Sequence, residues 1–323
     1  MIRVNNDHRP RTYFDAIRVA REILTTSELV RDSGPLGLEN RLQGEAEQLV
    51  AAAYRTAKGQ SISRMDLYAR AKEVFPDDAG EALLSMAALR AAGRPLQHVT
   101  GIQQFLDHDY EVGPDVLIPR PETEVLVTTA IRELSISESP PVLGLEIGLG
   151  SGVVSIELLA RFPGLRMVGS ELVREARARA SKNAERVLGA SQKTAERLMI
   201  VEVASPLSVW DPFESALKTD RADFVISNPP YLIRGNEAEP DVVNFEPEEA
   251  LFAPVEDPLY FYRIIAARGR EFLKPNGRVF VEIPHERAAQ VRELFEGLPG
   301  GGWRIKVLPD LVGRERVLVA DIM

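Results

Sequence analysis

Apolar side chains recur at three- and four-residue spacing through residues 13–24, 44–54 and 66–74, the period of helices with one buried face. Asp77 and Asp78 supply capping signals before a further apolar stretch over 82–92, which stops at Gly93. Ser33-Gly34-Pro35-Leu36-Gly37 reads as a loop between the first helix and the others. The pattern then changes. Gln97-His98-Val99-Thr100-Gly101, Gln103-Gln104-Phe105-Leu106 and Asp109-Tyr110-Glu111-Val112 flank turn residues and predict a β-hairpin within 93–118. Pro119 to Glu124 opens a helix, with Pro121 and Glu122 suited to its first turn.

From residue 142 onward strand and helix patterns alternate, which predicts an α/β domain with a mostly parallel sheet covered on both faces. Strands are expected at 142–147, 165–170, 199–203, 222–227, 278–283, 304–308 and 316–322, Gly277 marking the turn into the fifth. No long helix separates the last two, so they should pair antiparallel. The plan is a helical domain over 1–92, a hairpin connector over 93–118 and an α/β domain over 119–323.

Candidate chemistry gathers at the carboxyl ends of the predicted strands, where ligands of such sheets bind. The first strand carries Glu146 and runs into Gly148-Leu149-Gly150-Ser151-Gly152 before a helical pattern over 153–162. This is Glu-x-Gly-x-Gly-x-Gly, distinct from the Gly-x-Gly-x-x-Gly of dinucleotide folds. Alternate glycines let the backbone turn sharply and approach a ligand, where a helix start exposes unpaired N–H groups. Glu171 ends the second strand and is placed to accept two ribose hydroxyls. The fourth strand ends in Asn228-Pro229-Pro230-Tyr231. Each proline constrains its own φ and pushes the preceding residue toward extended geometry. Asn228 offers a side-chain carbonyl, Pro229 a backbone carbonyl and Tyr231 an aromatic face. Two acceptors and a stacking surface suit a nitrogen whose lone pair is conjugated, as in a carboxamide or an exocyclic base amine. Taken with the glycine turn and Glu171, they point to N-methylation by S-adenosyl-L-methionine.

The chain resembles the HemK/PrmC-type glutamine methyltransferases in Leu117-Ile118-Pro119-Arg120-Pro121-Glu122-Thr123-Glu124, the 146–152 turn, Asn183-Ala184, Asn228-Pro229-Pro230-Tyr231, Phe245-Glu246-Pro247 and Asp310-Leu311-Val312-Gly313-Arg314-Glu315-Arg316-Val317, in that order. The resemblance implies a class I S-adenosylmethionine-dependent methyltransferase fold, a Rossmann-like seven-stranded sheet, with an N-terminal helical bundle for substrate recognition. It implies methylation of a glutamine side-chain nitrogen, N5, in the glycine-flanked loop of a peptide chain release factor. Residues 1–40 read as a lineage-specific addition. Glu146, Gly148, Leu149, Gly150, Ser151, Gly152, Glu171 and Asn228 would hold the cofactor. Asn228, Pro229, Pro230 and Tyr231 would bind the substrate amide and carry catalysis, and Arg120, Pro121, Glu122 and Thr123 would form a site wall. Ser205-Pro206 stands where the family has an acid for the adenine amine, so Leu207 is expected to supply apolar packing there. Glu282-Ile283-Pro284-His285 replaces a glycine-containing turn.

Composition narrows the partners. Lys plus Arg total 39 against 48 Asp plus Glu, a net charge of −9, which disfavours a large phosphate footprint. Arg174, Arg177, Arg179, Lys182 and Arg186 read as a solvated helix face among alanines and glutamates. With no cysteine there is neither a disulfide nor thiolate chemistry, and the 4 histidines lack metal-ligand spacing, so no metal is expected. Without a membrane-length apolar run or a signal-like start, the expectation is a cytoplasmic monomer whose partner is a release factor, with neither membrane nor nucleic acid. The alternatives are an adenine N6-methyltransferase on DNA or RNA, and a non-catalytic protein-binding relative.

Overall fold

The computed structural model describes residues 9–27, 38–235, 244–254, 257–297 and 302–323. The loop expected at Ser33 to Gly37 lies outside them. The chain divides into two compact units, Met1–Ile102 and Gln103–Met323.

The first unit is helical. Tyr13–Thr25 is started by Thr12, whose side chain accepts from the Asp15 N–H. Leu38–Lys58 is its longest helix. Arg64–Ala69 begins with a reciprocal capping box between Ser63 and Asp66. Asp77–Ala91 opens on two aspartates, favourable at the positive end of a helix. Their apolar faces bury Tyr13, Leu24, Leu49, Phe75 and Leu83 in one core. Inside this unit the Arg90 guanidinium forks onto Glu45, at 2.7 and 3.2 Å, with both side chains buried. Arg41 adds a third bond to that carboxylate at 3.0 Å. Pairing of this kind is what lets charges leave water.

In the second unit, β1 (Ile102–Phe105, starting at the last residue of the first unit) and β2 (His108–Glu111) form a two-stranded sheet. Helix Pro121–Ser135 follows, with proline in its first turn. The main sheet contains β3 (Leu143–Ile147), β4 (Arg166–Glu171), β5 (Leu198–Glu202), β6 (Ala222–Ser227), β7 (Leu273–Glu282), β8 (Trp303–Pro309) and β9 (Glu315–Ile322), in spatial order β5-β4-β3-β6-β7-β9-β8. The first five of these pair in parallel, while β9 runs antiparallel to both β7 and β8. This is the class I methyltransferase arrangement expected of the sequence. Leu145, Val225, Val279 and Val281 point to one layer with Trp210 and Phe213, and Phe224, Ile226 and Phe280 point to the other. That two-residue period, apolar on both faces, marks strands covered on each side.

Several expectations need correction. Gly277 is not a turn into the fifth strand of the main sheet: β7 already begins at Leu273, and Gly277 lies in an irregular stretch inside it. The helix expected over 66–74 ends at Ala69, and Val74 instead bridges to Thr12. Gln97 to Gly101 is not a strand: Leu96–Thr100 is a short helix, preceded by Pro95 and closed by Gly101 at φ 74. β-Branched Val99 and Thr100 suggested extended chain, but proline before the first turn and a left-handed glycine after the last are helix punctuation. The hairpin is accordingly shorter, Ile102 to Glu111. The fourth helix starts at Asp77 instead of residue 82, because Pro76 stands at its N-cap and the acids occupy its first turn.

Gly144 lies within β3, where an added Cβ would overlap the Phe224 ring and the Met167 sulfur. Gly144→Ala should therefore lower unfolding stability by about 1–3 kcal/mol through overpacking. Urea unfolding of the full chain followed by tryptophan fluorescence reads this directly, and an unshifted midpoint would show that the contact is not tight.

Candidate active site

The parallel registers set the site. Ile147 of β3 lies opposite Ser170 of β4 and Ser227 of β6, so the chain leaves all three strands at one edge. There an open cavity is lined by Glu146 to Ser151, Ser170 to Val173, Asn228 to Pro230 and Thr123, with other residues. Segments far apart in sequence thus converge on one concave surface of the second unit.

The glycine turn is shaped by its own hydrogen bonds. Gly148 and Leu149 both donate to the Ser170 carbonyl at 3.0 Å, and Gly152 donates to Leu149 O at 2.8 Å. Gly150 N–H reaches the Glu171 carboxylate at 2.8 Å, and Val173 N–H binds its other oxygen at 2.8 Å. The expectation of an array of unpaired N–H groups is corrected: these amides hold the turn against β4 and orient Glu171 at the cavity wall. Gly152 sits at φ 86 as the cap of helix Val153–Arg161 and does not line the cavity. A Cβ there would crowd Ile156 and Ala180, so its bareness lets helix Arg174–Leu188 close in.

Glu146 is buried and accepts from both the N–H and the hydroxyl of Ser155. Burial pushes its carboxyl up to about 8, against the two Ser155 hydrogen bonds and with the Glu171 charge adding to the rise. At neutral pH it is therefore largely a neutral acid, while Glu171 meets the cavity through a backbone-clamped carboxylate.

Asn228 leaves β6 and donates its amide N–H to the Thr123 hydroxyl at 3.0 Å. Its oxygen is thereby left for another partner. Pro229 and Pro230 line the cavity, whereas Tyr231 packs against the apolar core. Burial, with Glu282 adding to it, raises the Tyr231 hydroxyl to about 12. The stacking face expected of Tyr231 is thus turned inward, where it anchors the elbow. Leu232 continues the anchoring, exchanging backbone bonds with Leu251 and Ala253 at 3.1 and 3.0 Å.

Of the expected wall, Thr123 reaches the cavity, but Arg120, Pro121 and Glu122 are not part of its lining. Arg120 binds Glu246, whose other oxygen accepts from Ile118 N–H at 2.9 Å. That pair ties the Pro-Arg-Pro-Glu stretch to the Phe-Glu-Pro motif. Leu207 is corrected outright: it is 64% exposed and absent from the lining, which contains Val203, Pro206, Val209 and Phe261 instead. Pro206 starts a short 3-10 turn that carries the Leu207 side chain away. The arginine-rich helix is only partly a solvated face. Arg177 donates to the carbonyls of Glu171 and Leu172, and Arg179 forks onto cavity-lining Asp115 at 2.6 Å.

Three contributors carry no role in the sequence reading. Asn183 bridges Ser151 O and both backbone groups of Glu111, fastening the glycine turn to the hairpin. Its place in a motif was the only signal. Asp115 lies in a turn with no pattern to mark it, and Phe261 lies in the amphipathic helix Tyr260–Phe272, whose period marks it as core and not as cavity wall. Among the described residues no group of three or more metal-type side chains gathers, and no helix is long and apolar enough to cross a membrane.

The lining fits S-adenosylmethionine. The left-handed turn residues Gly148 and Gly150 would each aim a Cβ into open space, leaving a bare backbone cradle, and a fixed carboxylate faces apolar walls suited to a ring.

Known proteins agree. Residues 38–101 match the PrmC N-terminal domain family. A release factor glutamine methyltransferase from Burkholderia pseudomallei is 35% identical over 296 residues, covering 90% of this chain and 94% of that protein. One from Streptococcus pneumoniae is 32% identical, covering 86% and 93%. One from Bacteroides thetaiotaomicron is 35% identical, covering 70% and 76%.

Glu146 makes a pH prediction with a definite sign. Its folded value near 8 lies above the ordinary 4.5, so folding retains a proton between them and stability falls as pH rises through that window. Glu146→Gln removes that loss. The melting temperature of the variant relative to the wild type should rise from about pH 6 to about pH 9. A constant difference across that range would rule out a proton on Glu146.

Proposed function

The chain belongs to the release factor glutamine methyltransferase family, and from that premise we propose that this site methylates the N5 side-chain nitrogen of a glutamine in a peptide chain release factor. The observation that carries the reading is the shared cavity: Asn228, Pro229 and Pro230 open onto the same space as the Glu146–Ser151 turn and Glu171. S-adenosylmethionine supplies a methyl group already attached to a good leaving group. The enzyme therefore has to align and hold, and needs no nucleophilic side chain. Glu171, with Gly148, Gly150 and the apolar walls, would retain the cofactor.

Asn228 Oδ1 and the Pro229 carbonyl would accept the two N–H bonds of the substrate carboxamide. An amide nitrogen is a poor nucleophile because its lone pair is delocalised, and the rotation barrier of roughly 18–20 kcal/mol measures that delocalisation. Two fixed acceptors favour pyramidalisation and stabilise the positive charge that grows on nitrogen during attack. No base is required beforehand, since the nitrogen turns acidic only after methylation. The prolines restrict the backbone that carries Asn228 and the Pro229 carbonyl, and Tyr231 holds the elbow against the core.

A single carboxamide offers too few contacts to set its own approach, so binding energy must come from the rest of the substrate. We assign that part to the helical unit that contains residues 38–101, acting on a folded factor whose glutamine lies in an exposed, glycine-flanked loop.

Incubating the full chain with cofactor and an intact release factor should add one methyl to a single glutamine, read by peptide mass spectrometry. A short loop peptide should react far more slowly; equal rates would refute recognition by remote surface. Asn228→Ala should lose about 2.7–4 kcal/mol of transition-state stabilisation while binding cofactor nearly as the wild type does. Glu171→Ala should instead weaken cofactor binding first, as measured by calorimetry. If the two substitutions act alike on rate and on binding, the division of roles is wrong.

A further inference from the structure

Behind Asn228 runs a buried chain of hydrogen bonds that methyl transfer does not by itself demand. Asn228 Nδ2 donates to Thr123 Oγ1 at 3.0 Å, and the Thr123 hydroxyl donates to Glu282 Oε2 at 2.8 Å. Thr123 is 3% and Glu282 2% exposed, so bulk water does not compete for either group. The three come from the Asn-Pro-Pro-Tyr elbow, the first turn of helix Pro121–Ser135 and the end of β7. The Glu282 backbone is fixed as well: its carbonyl accepts from the Tyr262 hydroxyl at 2.9 Å, and the next amide, Ile283 N–H, donates to Arg316 O at 2.8 Å.

A hydroxyl has one proton to give. While Thr123 gives it to a carboxylate, its lone pairs can only accept, so Asn228 must present its NH₂ end to Thr123 and its oxygen to the cavity. Were the last member a donor, the Thr123 proton would be free to point at Asn228 Oδ1. The carboxamide would then be stable turned over, with its NH₂ facing the substrate NH₂. Two donors face to face cannot bond, and the acceptor that the reaction needs would be gone.

We propose that Thr123 and Glu282 are positioning residues that fix which end of the Asn228 carboxamide faces the substrate nitrogen. The role in turnover rests on the reading of the site as an amide methyltransferase; the orientation of Asn228 does not.

The polarity of the chain depends on the charge of Glu282. Burial lifts its carboxyl to about 7, opposed by the Thr123 hydroxyl, Arg316 and Arg120 and assisted by Glu122. The Tyr231 and Tyr262 hydroxyls also feel its charge. As pH falls through that value the carboxyl gains a proton, becomes a donor and reverses the chain. Orientation and turnover should both improve as pH rises through about 7.

The test has two independent readouts on the full chain. The first needs no turnover. In asparagine-selectively ¹⁵N-labelled protein, the Asn228 side-chain NH₂ signals, assigned by their loss in Asn228→Ala, should titrate with a midpoint near 7. They should not titrate in Glu282→Gln or in Thr123→Val. The second uses S-adenosylmethionine and an intact release factor. Thr123→Val should lower kcat at least about tenfold, short of the roughly 10²–10³-fold effect of removing a direct transition-state contact, with cofactor affinity unchanged. Thr123→Ser, which keeps the hydroxyl, should recover most of that loss, and Glu282→Gln should flatten the rise of kcat with pH. Thermal melts show whether each variant is folded. Asn228 signals indifferent to Glu282, or a Thr123→Ser as impaired as Thr123→Val at equal stability, overturn the proposal. Signals that titrate as expected in an enzyme that leaves the glutamine unmodified would uphold the orientation and sink the assigned reaction instead.

Discussion

Parallel pairing of β3 with β4 on one side and β6 on the other is the constraint on which the site depends. With Ile147 opposite both Ser170 and Ser227, the glycine turn, Glu171 and Asn228 must emerge together, although 80 residues separate Ser227 from Ile147. Ser227 reinforces the alignment by donating its hydroxyl to Ile147 O at 2.8 Å. A slip of one residue would turn every side chain of a strand to the opposite layer and break both apolar cores. The packing that stabilises the sheet is therefore the same packing that fixes the site.

Buried carboxylates are the other recurring element, and the protein treats them in different ways. Glu45 in the helical unit is matched by two guanidinium groups. Glu246 is held by Arg120 and a backbone amide. Glu146 and Glu282 receive hydroxyl donors, and burial lifts both above the usual carboxylate range. An unpaired charge in such a place would be strongly destabilising, so a raised affinity for the proton is the expected response. Both acids lie next to the machinery, Glu146 under the glycine turn and Glu282 behind Asn228, where protonation state has consequences beyond stability.

The walls of the cavity are held by long-range polar ties. Asn183 fastens the turn to the hairpin, Arg179 holds Asp115, and Arg177 grips the chain just after β4. Each joins an exposed-looking helix residue to backbone or carboxylate at the site. These contacts make the arginine-rich helix a clamp on its inner side while its outer side remains in solvent.

Local chemistry made much of this legible from the sequence alone. Short apolar runs between helical patterns located the strands of the main sheet, although β7 begins five residues earlier than expected, glycine spacing located the turn, and proline stiffness located the Asn228 elbow, because each acts within a few residues of itself. Misreadings arose where local signals compete, as at Val99 and Thr100, whose branched side chains were outweighed by Pro95 and Gly101. Other features existed only after folding. Leu207 turned outward while Pro206 met the cavity, because a one-residue change around a tight turn reverses which side chain points in. Thr123 and Glu282 stand 159 residues apart and carry no shared pattern. A hydrogen bond between such positions is decided by how helix and sheet pack, and periodicity along one chain holds no record of that.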